Sequence, residues 1–216
     1  MRNGNGNGNG KRLGVLGGMG PAASLLFYGM VIEHTVACRD QEHIDMIILS
    51  HATMPDRTEM LGLGRGAELL ARIVEDALAL ERCGADALAI TCNTSHVLAD
   101  AIQAAINVPL INMVKEAVAE CAAIHERRPA KIAVLGTDGT IKAGMYQREM
   151  EAAGLLPHVP SPEGQKLVMR MIYDGVKRGG AVDYGDLAAV EKELREAGCD
   201  GAIMACTEMS VLKDRF

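Results

Sequence analysis

Aromatic side chains are scarce in this chain: no tryptophan, two phenylalanines and four tyrosines among 216 residues. Platforms that stack on bases or sugar rings are built from such side chains, so recognition of single-stranded nucleic acid or sugars by stacking is not expected. Long basic runs are also missing. The balance of 22 Lys and Arg against 28 Asp and Glu gives a formal net charge of −6, without the positive footprint that phosphate-backbone binding needs. The longest apolar stretches are too short to cross a bilayer, and the N-terminus has no apolar signal core. The composition reads as a cytoplasmic protein with no nucleic-acid partner and no membrane association. Six cysteines are present, but with no Cys-x-x-Cys spacing and no secretory signal, neither a disulfide framework nor a zinc site is expected. Cys92 and His96 stand four apart, with no second ligand pair nearby, so no metal site is expected.

What is present is ample apolar material. The chain is 49% hydrophobic, and its length suits one large domain or two small ones with no need of a covalent staple. Residues 3–10 alternate Asn and Gly, a composition that buries nothing. Residues 1–11 are therefore read as a flexible extension, 12–127 as an N-terminal α/β lobe and 128–216 as a C-terminal α/β lobe.

Apolar runs alternate with amphipathic stretches from residue 12 onward. Strands are expected at 12–17, 44–50, 87–91, 108–112, 131–136, near 155 and at 202–205. Helices are expected from 21, over 68–82 with Leu70, Ile73, Val74, Ala77 and Leu78 on one face, over 95–106, from 112 to about 127, from 140, over 165–177 and over 183–197. Residues 54–66 read as a polar, Gly-rich loop. Strands alternating with helices predict parallel sheets covered on both faces.

The two halves echo each other. RLGVLG at 12–17 corresponds to KIAVLG at 131–136, an offset of 119 residues, and GADALAITCNT from Gly84 corresponds to GCDGAIMACTE from Gly198, an offset of 114. Matching order and spacing point to an internal duplication that gives two similar Rossmann-like lobes, related by a pseudo-twofold axis, with a cleft between them.

The repeat places Cys92 and Cys206 at equivalent positions, each just after an apolar strand. Ligands of open α/β sheets bind outside the carboxyl ends of the strands. Two lobes facing each other would set two thiols across one cleft. A thiol at a strand-to-helix turn meets the positive end of the next helix, which is expected to lower its pKa toward neutrality. Backbone N–H groups of Asn93, Thr94, Thr207 and Glu208 are placed to cradle a carboxylate. Two opposed thiols suit racemisation: one thiolate removes a proton from one face of a carbon and the other thiol returns one to the opposite face.

At these residues the chain resembles the aspartate/glutamate racemase family, in its aspartate racemase branch. The matching segments are LGVLGGMGP (13–21), RDQEH (39–43), PDRT (55–58), ERCGAD (81–86), CNTSH (92–96), GTIKAGMY (139–146), QKLVMRMIYDGVK (165–177) and ACTE (205–208). The resemblance implies cofactor-independent racemisation, with Cys92 and Cys206 as the acid/base pair. It implies substrate contacts from Met19, Asn93, Thr94 and Thr207, and a grip on a side-chain carboxylate by Arg57 and Lys177. Glu208 is read as orienting its loop and His96 as a supporting residue in the first turn of its helix. A homodimer is also implied.

Other readings stand beside this one. The segment GMGPAA at 18–23 fits G-x-G-x-x-A after a strand, but the second strand ends in Leu49, Ser50 and His51 where a dinucleotide site wants an acidic residue. Its glycines are instead expected to let the backbone approach a small carboxylate. His51 is read either as near the cleft or as a solvated loop residue. Cys38, Cys83, Cys121 and Cys199 are read as buried or neutral thiols. Glutamate or broader amino-acid racemisation, and a binding protein that kept the cleft and lost the chemistry, remain open. By the repeat, the second lobe is expected to be short by a strand and a closing helix, with reduced stability or activity.

Overall fold

Consecutive apolar residues at Val15–Leu16 and Ile132–Val134 are fully buried and form the centres of two parallel sheets in the computed structural model, which describes residues 10–125 and 129–212. Most of the expected N-terminal extension and the expected lobe boundary at 127–128 lie outside the described residues, as do residues 213–216. The first sheet contains β1 (Arg12–Gly17), β2 (Asp45–Ser50), β3 (Ala87–Ile90) and β4 (Leu110–Ile111) in the order β2-β1-β3-β4. The second contains β5 (Lys131–Leu135), β6 (Leu156–His158) and β7 (Gly201–Met204) in the order β6-β5-β7. All strand pairs are parallel. Central strands of such sheets are buried on both faces, so their sequences are unbroken apolar runs.

The helices are α1 (Pro21–His34), α2 (Arg57–Gly62), α3 (Gly66–Arg82), α4 (Ala99–Ala105), α5 (Met113–Ile124), α6 (Asp138–Ala143), α7 (Met145–Ala152), α8 (Pro162–Arg170), α9 (Tyr184–Glu196) and α10 (Thr207–Ser210). In α3 the buried stripe is Leu69, Ile73, Ala77 and Leu80, with Leu70, Val74 and Leu78 partly buried beside it. The expected face is therefore rotated, because the apolar arc of α3 is broader than its line of contact with the sheet. Against the second sheet, α8 and α9 supply Val168, Leu187, Val190 and Leu194 on one side. On the other side Val114 and Val118 of α5 join Met145, Tyr146 and Met150 of the α7 region around Ile132 and Val134. Chain order puts α5 in the first half, but its packing puts it on the second sheet.

The internal repeat extends to individual bonds. Leu13 pairs with Ala87 in the first sheet and Ile132 with Gly201 in the second, which are the same two positions under the offsets of 119 and 114. The N–H groups of Arg12 and Lys131 each donate to the aspartate just before a neighbouring strand, Asp86 ahead of β3 and Asp200 ahead of β7, at 2.7 Å in both halves. Ahead of those aspartates, Gly84 and Gly198 have φ of 91° and 73°. They end α3 and α9 in the left-handed turn that glycine adopts without a side-chain clash. In both turns the next N–H bonds back to a helix carbonyl, Ala85 to Leu80 and Cys199 to Leu194.

Four segments depart from expectation. Residues 54–66 are not all loop, because Asp56 caps α2 by accepting the Glu59 N–H at 3.0 Å and Met60 is buried beneath it. The expected helix at 95–106 begins as a tight 3₁₀ turn over Thr94–Leu98 before α4. The helix expected from 140 starts at Asp138, capped by Thr137, and divides at Gly144 into α6 and α7. The expected helix at 165–177 begins at Pro162, capped by Ser161, and widens to a π-helix over Met171–Lys177, a form that often marks functional sites.

Candidate active site

Cys92 and Cys206 follow the carboxyl ends of β3 and β7. Each is followed by a turn closed three residues on, starting one residue past the cysteine in the first half, His96 N–H to the Asn93 carbonyl at 2.9 Å, and at the cysteine in the second, Met209 N–H to the Cys206 carbonyl at 3.0 Å. Both thiols are buried and line one small cavity of about 10 Å³, the space of about one water molecule. Nine of the ten expected site residues line it, His96 being the exception. A larger cleft of about 590 Å³ lies alongside and shares Met19, Asp56, Arg57, Lys177 and Glu208 with it.

The two thiols have different companions. Cys206 Sγ donates to Glu208 Oε2 at 2.9 Å. Burial and the negative charge of Glu208 push the Cys206 pKa well above the ordinary thiol value. The expected lowering is therefore overturned for Cys206: α10 is only one turn long, too short to offset burial beside a carboxylate. Cys92 instead has the Arg57 guanidinium beside it. Burial opposes the charge of Arg57, yet Cys92, Asp56 and Glu208 outweigh it and raise its pKa.

Arg57 and Lys177, expected to hold a side-chain carboxylate, already have protein partners. Arg57 is buried, donating to the carbonyls of Met54 at 3.1 Å, Pro55 at 2.9 Å and Met19 at 3.0 Å. Lys177 Nζ donates to Asp56 Oδ2 at 2.9 Å and sits 4.0 Å from the centre of the Tyr173 ring, within cation–π range. Burial works against both charges of the pair, but the Glu59 N–H together with Lys177 lowers the Asp56 pKa, and Asp56 raises that of Lys177. The Tyr173 hydroxyl donates to the same carboxylate at 3.2 Å. The π-helix supplies Tyr173 and Lys177 four residues apart, so both reach across to the loop before α2.

The remaining expected contacts are also engaged. Asn93 Oδ1 accepts from the buried Tyr146 hydroxyl. The Thr94 hydroxyl bonds those of Thr137 at 3.1 Å and Thr140 at 3.0 Å, and Thr58 donates to Thr137 at 3.1 Å. These four threonines join the two halves beside the cavity. Thr207 donates to the Thr91 carbonyl at 3.3 Å, and Met19 Sδ accepts from Ser95 at 3.7 Å. His96 Nδ1 is 2.9 Å from the Cys92 carbonyl, and its Nε2 accepts from Met113 N–H at 3.4 Å. Nδ1 therefore carries the proton, and His96 ties the Cys92 turn to the start of α5. Burial lowers the His96 pKa.

At Gly18 the close approach is to protein. A Cβ there would lie 2.4 Å from the His51 nitrogen, so this glycine lets β1 and β2 end side by side rather than admitting a carboxylate. His51 itself pairs with Asp76 on α3 at 2.7 Å. Cys38 and Cys83 are exposed, not buried. Among the described residues, no group of three or more His, Cys, Asp or Glu is placed to hold a metal, and no helix is long and apolar enough to cross a membrane.

Sequence reasoning missed Asp56, Thr58, Thr137, Thr140, Tyr146 and Tyr173. Tyr146 and Tyr173 lie within the motif segments, and Asp56 directly precedes Arg57, but only the folded chain shows their partners.

Two parallel sheets with a cysteine at the end of an equivalent strand in each are the frame of a racemase. The Asp/Glu/hydantoin racemase family matches residues 16–216, and the chain belongs to it. It is 34% identical to the broad specificity amino-acid racemase RacX of Bacillus subtilis, over 94% of this chain and 88% of that protein. It is 32% identical to glutamate racemase of Koribacter versatilis over 62% of this chain and 45% of that one. Among solved structures, an aspartate racemase homologue from Pyrococcus horikoshii superposes with a TM-score of 0.72 at 29% identity, covering 93% of this chain and 87% of that one. Picrophilus torridus aspartate racemase shares the fold with a TM-score of 0.78 at 24% identity, covering 94% and 84%.

Proposed function

We propose that this chain interconverts the enantiomers of a small amino acid by proton transfer between Cys92 and Cys206, with aspartate the first substrate to test. The carrying observation is that both thiols line one cavity while their companions differ in charge, Arg57 for one and Glu208 for the other. In one direction the Cys92 thiolate takes the α-proton. The C–H electron pair delocalises into the adjacent carboxylate, and the Cys206 S–H gives its proton to the opposite face, becoming a thiolate. The reverse direction exchanges the roles. No cofactor takes part. Turn N–H groups after each cysteine and the guanidinium of Arg57 stabilise the developing negative charge.

A broad substrate range is the second reading. It is favoured by the Lys177–Asp56 ion pair at 2.9 Å, since a lysine already neutralised offers an acidic side chain little free charge. The two are separated by α-hydrogen exchange in heavy water, measured on aspartate, glutamate and alanine side by side. Exchange on aspartate alone supports the first reading, and comparable exchange on alanine supports the second. Exchange on none of these or other amino acids overturns racemisation and leaves a binding protein. Cys92→Ala and Cys206→Ala should each abolish turnover, and full racemisation in both variants overturns the two-thiol mechanism. A homodimer is proposed as well. Leu25, Tyr28 and Ile32 lie exposed along one side of α1, an apolar strip that a second copy would cover, and sedimentation of the intact chain tests it.

A further inference from the structure

Two polar atoms in side chains that line the cavity are buried without a partner, Arg57 Nε and Glu208 Oε1. One is a donor on a cation and the other an acceptor on a carboxylate. A buried polar group left unpaired costs about 1–3 kcal/mol, more when charged, so both atoms mark places where a ligand supplies what the protein does not. Glu208 is only 4% exposed. Its Oε2 is taken, accepting from Cys206 Sγ at 2.9 Å and lying 3.4 Å from the Thr207 hydroxyl. The element facing Oε1 is Gly20, where a Cβ would stand 3.3 Å from that oxygen. A side chain there would crowd the oxygen, and glycine leaves the approach open.

We propose that Glu208 Oε1 receives the α-ammonium group of the substrate. This rests on the racemase reading and adds which group of the substrate is recognised where. A carboxylate of the substrate is repelled from this position, whereas an ammonium supplies both the missing donor and the opposite charge. Arg57 and Lys177 feel the charge of Glu208, but neither hydrogen-bonds it among the described residues, so Oε1 is left for the ligand. One carboxylate then holds the substrate nitrogen on one oxygen and the Cys206 thiol on the other. Because the ammonium is bonded directly to Cα, this sets the reacting carbon beside Cys206.

The test compares an amino acid whose α-hydrogen the wild-type protein exchanges with its counterpart lacking the amino group, succinate in the case of aspartate. In Glu208→Gln the KM for the amino acid should rise roughly tenfold or more, while inhibition by the desamino compound changes by less than about threefold. Equal weakening of both ligands, or a lower kcat with an unchanged KM, overturns the proposal, since those are the marks of a residue that only supports Cys206. Should Glu208→Gln not fold, Gly20→Ala gives the same reading. Gly20 has φ of −106°, which alanine adopts, and the variant keeps the carboxylate itself while crowding its Oε1. Selective loss of the amino acid supports the proposal, and equal loss of both ligands overturns it. A wild-type protein that exchanges no amino acid refutes the racemase reading itself and is recognised before any variant is made.

Discussion

Asp56 joins three groups with one carboxylate, and removing it in two ways separates their contributions. It caps α2 through the Glu59 N–H at 3.0 Å, pairs with Lys177 at 2.9 Å and accepts the Tyr173 hydroxyl at 3.2 Å. In Asp56→Ala the lost cap costs about 1 kcal/mol. The ion pair, with side chains 27% and 21% exposed, adds up to about 1 kcal/mol, and the tyrosine bond to a charged acceptor adds about 1–1.5 kcal/mol after overlap with the ion pair. A loss of about 3 kcal/mol corresponds to a fall in Tm of about 6–12 °C for a chain of this size. Asp56→Asn keeps an oxygen for the cap and loses the charge, so its expected loss is about 1 kcal/mol and about 2–4 °C. Both variants leave the Lys177 ammonium unpaired at the edge of the cleft. Preference for aspartate over alanine, read as the ratio of kcat/KM values, should then rise about threefold to tenfold. Thermal melts and side-by-side racemisation assays check both parts. Asp56→Ala melting together with Asp56→Asn refutes the capping argument, and an unchanged substrate ratio in Asp56→Asn refutes the claim that Asp56 neutralises the lysine.

Three further outcomes follow from the geometry. Tyr146→Phe leaves the buried Asn93 Oδ1 without its donor, and should cost about 1–3 kcal/mol and lower the urea midpoint; a midpoint equal to wild type contradicts this. His96 is buried with its pKa lowered from 6.5, so the unfolded chain takes up this proton before the folded one does. Its contribution to stability is complete above pH 6.5 and is lost as pH falls through the folded value, with a slope of at most about 1.4 kcal/mol per pH unit. Unfolding at about pH 7.5 and about pH 5.5 should therefore show a smaller acid loss in His96→Gln than in wild type, and equal losses rule the account out. Brief treatment with iodoacetamide should label the exposed Cys38 and Cys83 first and spare Cys206, which is buried with a raised pKa. Labelling of Cys206 at the rate of Cys38, read by mass spectrometry, would contradict its protonated, enclosed state.

The central strands were legible because β1, β3 and β5 are buried between layers, and that environment selects unbroken apolar runs. Helix α2 was hidden because residues 54–66 are polar and contain three glycines. Its one local signal is Asp56 standing three residues ahead of Glu59, a capping spacing. The π-helical widening at Met171–Lys177 leaves the apolar pattern intact, so periodicity alone reads it as ordinary helix. At the site, the repeat exposed the cysteines, whereas the partners of Lys177 and Asn93 did not show. Asp56 and Lys177 are 121 residues apart, and Asn93 and Tyr146 are 53 apart. Such pairs are created by the docking of the halves, which no local pattern encodes.

The same repeat that makes the two thiols equivalent also identifies where they cease to be. Strand register, the aspartate that receives the strand N–H, and the glycine turn before it are all duplicated at the offsets of 119 and 114. Past each cysteine the side chains diverge, Asn93 and Thr94 in one half against Thr207 and Glu208 in the other. Thr94 turns away to bond Thr137 and Thr140 across the lobes, while the glutamate turns back onto its own cysteine. A duplicated scaffold thus sets two thiols in one cavity, and one of the unmatched side chains, Glu208, gives Cys206 a carboxylate that accepts its S–H. The proposed two-thiol racemisation needs one thiol protonated while the other is not, in either direction. The difference between positions 94 and 208 gives Cys206 a carboxylate partner that its counterpart's turn does not supply, on the repeated framework that places both sulfurs.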